Sequence, residues 1–190
     1  MQKLILITGD LAAGKSTLAK KLSQNLNALY FTKDILKEIL SDTVGFSNRQ
    51  ENKKLSIASV NVMNHIFNQY AFLKQDLILE ANFHKDEIET LQNLANQNNY
   101  KVTILYLQGN PDTLFERFSN RIKNENHHPT HCTSDIIDKE NFTKYLLSNR
   151  KELESFDYKL IKIQGENYSE VFENAVKIIS EKTAGDEEKL

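Results

Sequence analysis

The chain of 190 residues carries one cysteine, Cys132, two prolines and six glycines, and its charges nearly cancel. A single cysteine excludes an intrachain disulfide, so packing must hold the fold. The scarcity of proline and glycine leaves no linker-like segment, and there is no internal repeat. With 24 Lys and Arg against 26 Asp and Glu, the net charge of −2 supplies no global basic field for nucleic acid or an anionic membrane. Nucleic acid is therefore not the expected partner, although a local basic site stays open. No apolar run approaches the ~20 residues that span a bilayer. The first apolar run starts at about residue 3, so no leader segment is expected and the cytoplasm is the expected compartment.

What is present is ordinary for a globular protein: 39% hydrophobic and 26% charged residues, in a length sufficient for one α/β domain with a full core. One stretch is not ordinary. Gly9-Asp10-Leu11-Ala12-Ala13-Gly14-Lys15-Ser16-Thr17 has the G-x-x-x-x-G-K-S-T spacing of a phosphate-binding loop, the P-loop. Its glycines let the backbone wrap an anion with N–H groups pointing inward. Lys15 can reach the outer phosphates, and the Ser16 hydroxyl can coordinate the accompanying Mg²⁺. The motif needs a strand before it and a helix after it. Lys3 to Thr8 is a short apolar run of the kind buried on both faces of a parallel sheet. Leu18, Leu22 and Leu26 follow at helical spacing, and the helix start aims its positive end at the same anion.

Strand and helix patterns alternate along the chain. The spacing predicts strands at about 3–8, 29–31, 77–79, 101–107 and 158–163. Helices are predicted at about 15–26, from 34 onward through Ile35, Leu36, Ile39 and Leu40, then 49–74, 85–98, from Asn110-Pro111-Asp112, 138–155 and 168–181. Residues 41–48 read as a loop. Five strands with helical crossovers give a parallel sheet covered on both faces, with ligands expected beyond the carboxyl ends of the strands.

Those ends carry the candidate chemistry. Asp34, after the second strand, can accept a hydroxyl proton near the terminal phosphate, or it can cap the helix it opens. Glu80, ending the third strand, can meet Mg²⁺ or the acceptor, or be satisfied by Lys15 in the free protein. Asn82 can bind an acceptor hydroxyl or cap the next helix. Arg117 and Arg121 are four apart on one predicted helix and share a face, which suits phosphate contact; the alternative is local pairing with Asp112, Glu116 or Glu125. Arg150 is a further candidate. The polar stretch 123–135 suits a lid that excludes water. It bunches His127, His128, His131 and Cys132, but no second ligand pair at finger spacing exists, so a lid is expected rather than a zinc site.

On the P-loop, Asp34, the Leu77-Ile78-Leu79-Glu80-Ala81-Asn82-Phe83 segment and the Arg117/Arg121 pair, the chain resembles the small P-loop kinases. These include the shikimate, gluconate and adenylate kinase relatives. Within them it is most similar to AAA_33-type and zeta-toxin or chloramphenicol-phosphotransferase-like ATP-binding proteins. The resemblance implies a three-layer α/β/α P-loop NTPase fold with a five-stranded parallel sheet of order 2-3-1-4-5, over about residues 1–181 with a lid at about 121–137 and a tail at 182–190. It implies ATP and Mg²⁺ as cofactors. Gly9, Asp10, Leu11, Ala12, Ala13, Gly14, Lys15, Ser16 and Thr17 would hold the nucleotide, and Ser16 and Glu80 the metal. Lys15, Asp34, Arg117 and Arg121 would be the catalytic set. Glu80 stands where many relatives have aspartate. Residues 41–74 fill the position of the acceptor-binding helices, where Arg49, Asn61, Asn64 and His65 are possible contacts. The expected activity is ATP-dependent transfer of a phosphoryl group to a hydroxylated small molecule. The competing readings are a polynucleotide 5′-hydroxyl kinase and a non-catalytic ATP-binding switch. The turn Gln164-Gly165-Glu166-Asn167 is the expected neighbour of the base.

Overall fold

The computed structural model describes residues 1–124, 128–131, 136–163 and 168–181. Along the chain run β1 (Lys3–Gly9), α1 (Lys15–Leu26), β2 (Leu29–Thr32), α2 (Lys33–Val44), α3 (Arg49–Leu73), β3 (Leu77–Glu80), α4 (Lys85–Gln97), β4 (Lys101–Gly109), α5 (Pro111–Asn124), α6 (Lys139–Glu152), β5 (Lys159–Ile163) and α7 (Tyr168–Ser180), with a 3₁₀ turn at Pro129–His131. The strands form one all-parallel sheet in the order β2-β3-β1-β4-β5, as the resemblance implies.

The central strands read as unbroken apolar runs because both faces are covered. In β1, Ile5 and Ile7 pack under α1, α5, α6 and α7, while Leu4 and Leu6 pack under α3 and α4. Each fully buried Leu or Ile contributes about 1.5–3 kcal/mol of transfer free energy. Leu18 and Leu22 carry the buried stripe of α1, with Leu26 only half-buried. In α3 the stripe runs through Leu55, Val60, Met63 and Phe67, whereas Ile57 and Leu73 are more than half exposed.

The boundaries differ from the sequence pattern in two places that matter. Residues 41–44, read as loop, continue α2, which ends only where Gly45 takes a positive φ and returns its N–H to the Ser41 carbonyl at 2.7 Å. With only the small polar Ser41 buried and Asp42, Thr43 and Val44 exposed, this turn leaves no apolar periodicity to detect. β3 and β4 each extend one or two residues further, to Glu80 and Gly109. The register sets Glu80 beside both Ile7 and Thr32, and Gly9 opposite Leu107. The ends of β1, β2 and β3 therefore meet at one point.

His127, Cys132, Glu125, the turn 164–167, the tail 182–190 and residues 125–127 and 132–135 of the segment read as a lid lie outside the described residues.

Candidate active site

The P-loop conformation follows from its glycines and from what presses on them. Gly9 has φ +122°, and a Cβ there would lie 2.2 Å from the Leu107 carbonyl oxygen. The next residue, Asp10, donates its N–H to that same oxygen at 2.8 Å. Gly14 begins α1 in the left-handed region at φ +81°. A Cβ there would meet the ring of Tyr168 at 2.7 Å, and the Tyr168 hydroxyl donates to the Gly14 carbonyl. Burial pushes the Tyr168 hydroxyl up to about 12, against the nearby Arg117 guanidinium.

Lys15 is 7% exposed and donates to the carbonyls of Gly9 at 3.2 Å and Asp10 at 2.7 Å. Its ammonium is thus parked inside the loop. Burial lowers its pKa, opposed by the Glu80, Asp34 and Asp10 carboxylates and reinforced by Arg121. Glu80 is buried as well and shifts the other way. Burial raises its pKa, Lys15 opposes this, Asp34 adds to it, and the Ser16 hydroxyl and Arg121 oppose it. Ser16 Oγ donates to Glu80 Oε2 at 3.1 Å. In the free protein it is Ser16 that satisfies the Glu80 carboxylate by hydrogen bonding, not Lys15. A hydroxyl and a carboxylate oxygen this close, beside a helix N-terminus, are hard oxygen donors of the type Mg²⁺ takes in phosphoryl-transfer sites.

Asp34 is exposed in the first turn of α2. The capping alternative fails: the helix starts at Lys33, Thr32 is its N-cap, and Asp34 lies beyond the capping position. Among the described residues its carboxylate has no hydrogen-bond or ion-pair partner, yet it lies near enough to Lys15 and Glu80 to perturb both. It lines an open cleft of about 870 Å³ with Ser16, Thr17, Lys20, Ile39 and Arg121. Asn82 is likewise no cap, since His84 caps α4. Its Oδ1 is buried without a partner and lines a small cavity with Tyr145 and Asn149 behind Gly9.

Both arginines of α5 reach the P-loop side. Arg121 is exposed and lines the cleft, and Arg117 is half-buried near Tyr168. Asp112, a possible partner for Arg117, instead pairs with Lys139 at 3.0 Å. Arg150 does not face the cleft. It forms a two-point ion pair with Asp10, whose side chain is fully enclosed.

Residues 128–131 dock against α2 and α3, and His131 lines the same cleft as Ser16 and Thr17. His131 Nε2 lies 2.7 Å from Glu38 and His128 Nε2 lies 3.0 Å from Asp42. Lys37 Nζ and Asn52 Nδ2 both donate to the carbonyl of the buried Thr130. His128 and His131 thus face carboxylates of α2, and among the described residues no group of three or more His, Cys, Asp or Glu side chains is placed to hold a metal. Neither this docking nor the Tyr168 contact with Gly14 was visible in the chain pattern. The one available signal was Asp10: an acid inside an anion-binding loop needs a cation to neutralise it.

A β-strand, a glycine-bounded loop holding a buried lysine and a helix, set in a sheet of order 2-3-1-4-5, define a P-loop nucleotide-binding protein with the fold of the P-loop kinases. The chain belongs to the AAA_33 family, described as an AAA domain, which it matches over residues 4–142. No protein of curated function matches the sequence. Among solved structures it is similar to a candidate kinase of Chloroflexus aurantiacus J-10-fl, at 25% identity and TM-score 0.74 over 92% of this chain and 94% of that one. It is also similar to the APS kinase CysC of Mycobacterium tuberculosis, solved with AMPPNP and APS, at 12% identity and TM-score 0.63 over 95% and 98%. A gluconokinase of Sinorhizobium meliloti 1021 aligns at 11% identity and TM-score 0.60 over 93% and 91%. No helix among the described residues is long and apolar enough to cross a membrane.

Proposed function

We propose that the protein is an ATP-dependent phosphotransferase that moves the γ-phosphoryl group to a hydroxyl of a small molecule. The observation that carries this reading is the convergence of four groups at the ends of β1, β2 and β3: Lys15, Ser16 hydrogen-bonded to Glu80, and the unpartnered Asp34. A P-loop alone serves motors, switches and kinases alike. An unengaged carboxylate across the cleft from the loop suits a kinase, which must orient an acceptor as well as a donor.

Backbone N–H groups from Gly9 to Thr17 and the Lys15 ammonium would hold the β- and γ-phosphates. Ser16 and Glu80 would hold Mg²⁺, which when bound supplies charge neutralisation at the phosphates. Asp34 accepts the proton of the attacking hydroxyl. Arg121, and Arg117 behind it, stabilise charge on the transferring group. The domain spans 1–181, with 121–137 acting as the lid, and the protein works in the cytoplasm.

The test is ATP consumption measured with and without a panel of sugars, sugar acids, amino alcohols and nucleosides, with the product identified by mass. Stimulation by one acceptor with a phosphorylated product supports the reading. Stimulation by oligonucleotide ends would select a polynucleotide kinase instead. ATP binding with no turnover on any acceptor would favour the non-catalytic switch.

A further inference from the structure

We propose that Arg150 is a positioning residue for nucleotide binding, acting through Asp10 on the P-loop and Lys15. The Arg150 guanidinium places Nε 3.1 Å from Asp10 Oδ1 and Nη2 2.5 Å from Asp10 Oδ2, and Nη2 also donates to the Gly109 carbonyl at 2.8 Å. Asp10 Oδ2 accepts the Gly109 N–H at 3.0 Å. The fork, the carboxylate and the end of β4 therefore close a ring. The Asp10 side chain has no exposed surface and that of Arg150 only 19%, so the pair is held out of the water that would screen it.

The ring connects to the site through the backbone of one residue. The Asp10 N–H is fixed on Leu107, its carboxylate on Arg150, and its carbonyl receives the Lys15 ammonium at 2.7 Å. Fixing the Asp10 plane fixes where Lys15 sits and where the following loop amides point. It also supports Ala12, which has a left-handed φ of +61°, a conformation that persists in a non-glycine residue only when its surroundings hold it. Arg150 lies on α6, beyond residue 142 where the family match ends. The loop that defines the family is thus braced by a residue outside the matched segment. A planar two-pronged cation does this where lysine, a point charge, cannot.

This inference rests on the reading of the loop as a nucleotide site, not on transfer to an acceptor. It is tested by titrating the fluorescent N-methylanthraniloyl derivatives of ADP and ATP, with Mg²⁺, into wild type, Arg150→Gln, Arg150→Lys and Asp10→Asn. Circular dichroism melts fix a temperature at which each variant is fully folded. The misplaced loop should weaken ADP and ATP alike, by about 10- to 100-fold for Arg150→Gln and Asp10→Asn. Arg150→Lys should fall between, and the double variant Asp10→Asn/Arg150→Gln should lose no more than the worse single one. Folded variants that bind both nucleotides as wild type does would show the pair to be merely structural and overturn the inference. A loss confined to ATP in Arg150→Gln, with Asp10→Asn unaffected, would make Arg150 a γ-phosphate contact and overturn it too. Failure of the wild type to bind either nucleotide would sink the nucleotide-site reading and this inference with it, whereas normal wild-type binding beside unaffected variants sinks this inference alone.

Discussion

Arg150 and Asp10 lie 140 residues apart in sequence and meet beneath the phosphate-binding loop in a two-point ion pair whose Asp10 side chain is fully enclosed. Such a pair costs desolvation on both sides, and removing one partner leaves the other buried and uncompensated. Arg150→Ala should therefore destabilise the protein by about 3–5 kcal/mol, read from urea unfolding. Asp10→Asn/Arg150→Gln, which removes both charges and keeps the shapes, should cost clearly less. A cost for Arg150→Ala below about 1 kcal/mol, the range of exposed pairs, would contradict the burial of this one.

Glu80 gives a pH signature. Burial holds its carboxyl above the ordinary carboxylate range in the folded protein, so folding disfavours the ionised form. Its contribution to stability is fully present below the unfolded value of 4.5 and is lost as pH rises through the folded value. Glu80→Gln, which stays neutral at every pH, should raise the melting temperature of the nucleotide-free protein at neutral pH. That advantage should shrink toward pH 4, where wild-type Glu80 is protonated. Mg²⁺ and ADP should reverse the order at neutral pH, because the amide is a poorer ligand. A melting-temperature gap independent of pH would show that Glu80 does not titrate in this range.

Asp34 and Lys15 separate transfer from binding. Lys15→Ala should impair nucleotide binding whatever the acceptor. Asp34→Asn should leave affinity for ATP unchanged and lower phosphoryl transfer by about 10²–10⁴-fold, the range for a lost general base. The product assay and a nucleotide titration on the same sample check both. Near-normal transfer by Asp34→Asn would leave the carboxylate without a chemical role.

The two loop glycines should fail differently. Alanine at Gly9 drives a methyl to within 2.2 Å of the Leu107 carbonyl, a backbone atom of the adjacent strand that cannot step aside. Gly9→Ala should cost at least about 3 kcal/mol from the forced φ and the overpacking together. Alanine at Gly14 first meets the far end of the Tyr168 side chain rather than backbone. Gly14→Ala should keep most of the melting temperature, losing about 1–2 kcal/mol for its left-handed φ, while nucleotide affinity drops. Equal thermal losses in the two variants would contradict this difference.

The outcomes of these substitutions divide along the line between local and long-range information. The β1–loop–α1 unit was legible in the chain because everything it needs is local: an unbroken apolar strand, glycines where φ must be positive, and leucines at helical spacing. The strand order was reached through resemblance, and the sheet bears it out. The roles open at Asp34 and Asn82 were narrowed by two-residue shifts, since the caps fall on Thr32 and His84. Cap positions depend on where packing starts a helix, and sequence spacing leaves that uncertain by a residue or two.

By itself, then, the sequence determined a phosphate-binding loop on a parallel α/β scaffold, because hydrophobic period and glycine placement are properties of neighbours in the chain. Only the tertiary structure decided what surrounds that loop. It put Arg150 on Asp10, Tyr168 on Gly14, and residues 128–131 on the carboxylates of α2. Each of these contacts joins elements brought together by strand order and register, and a buried charge finds its partner through the fold, not through the spacing of residues along the chain.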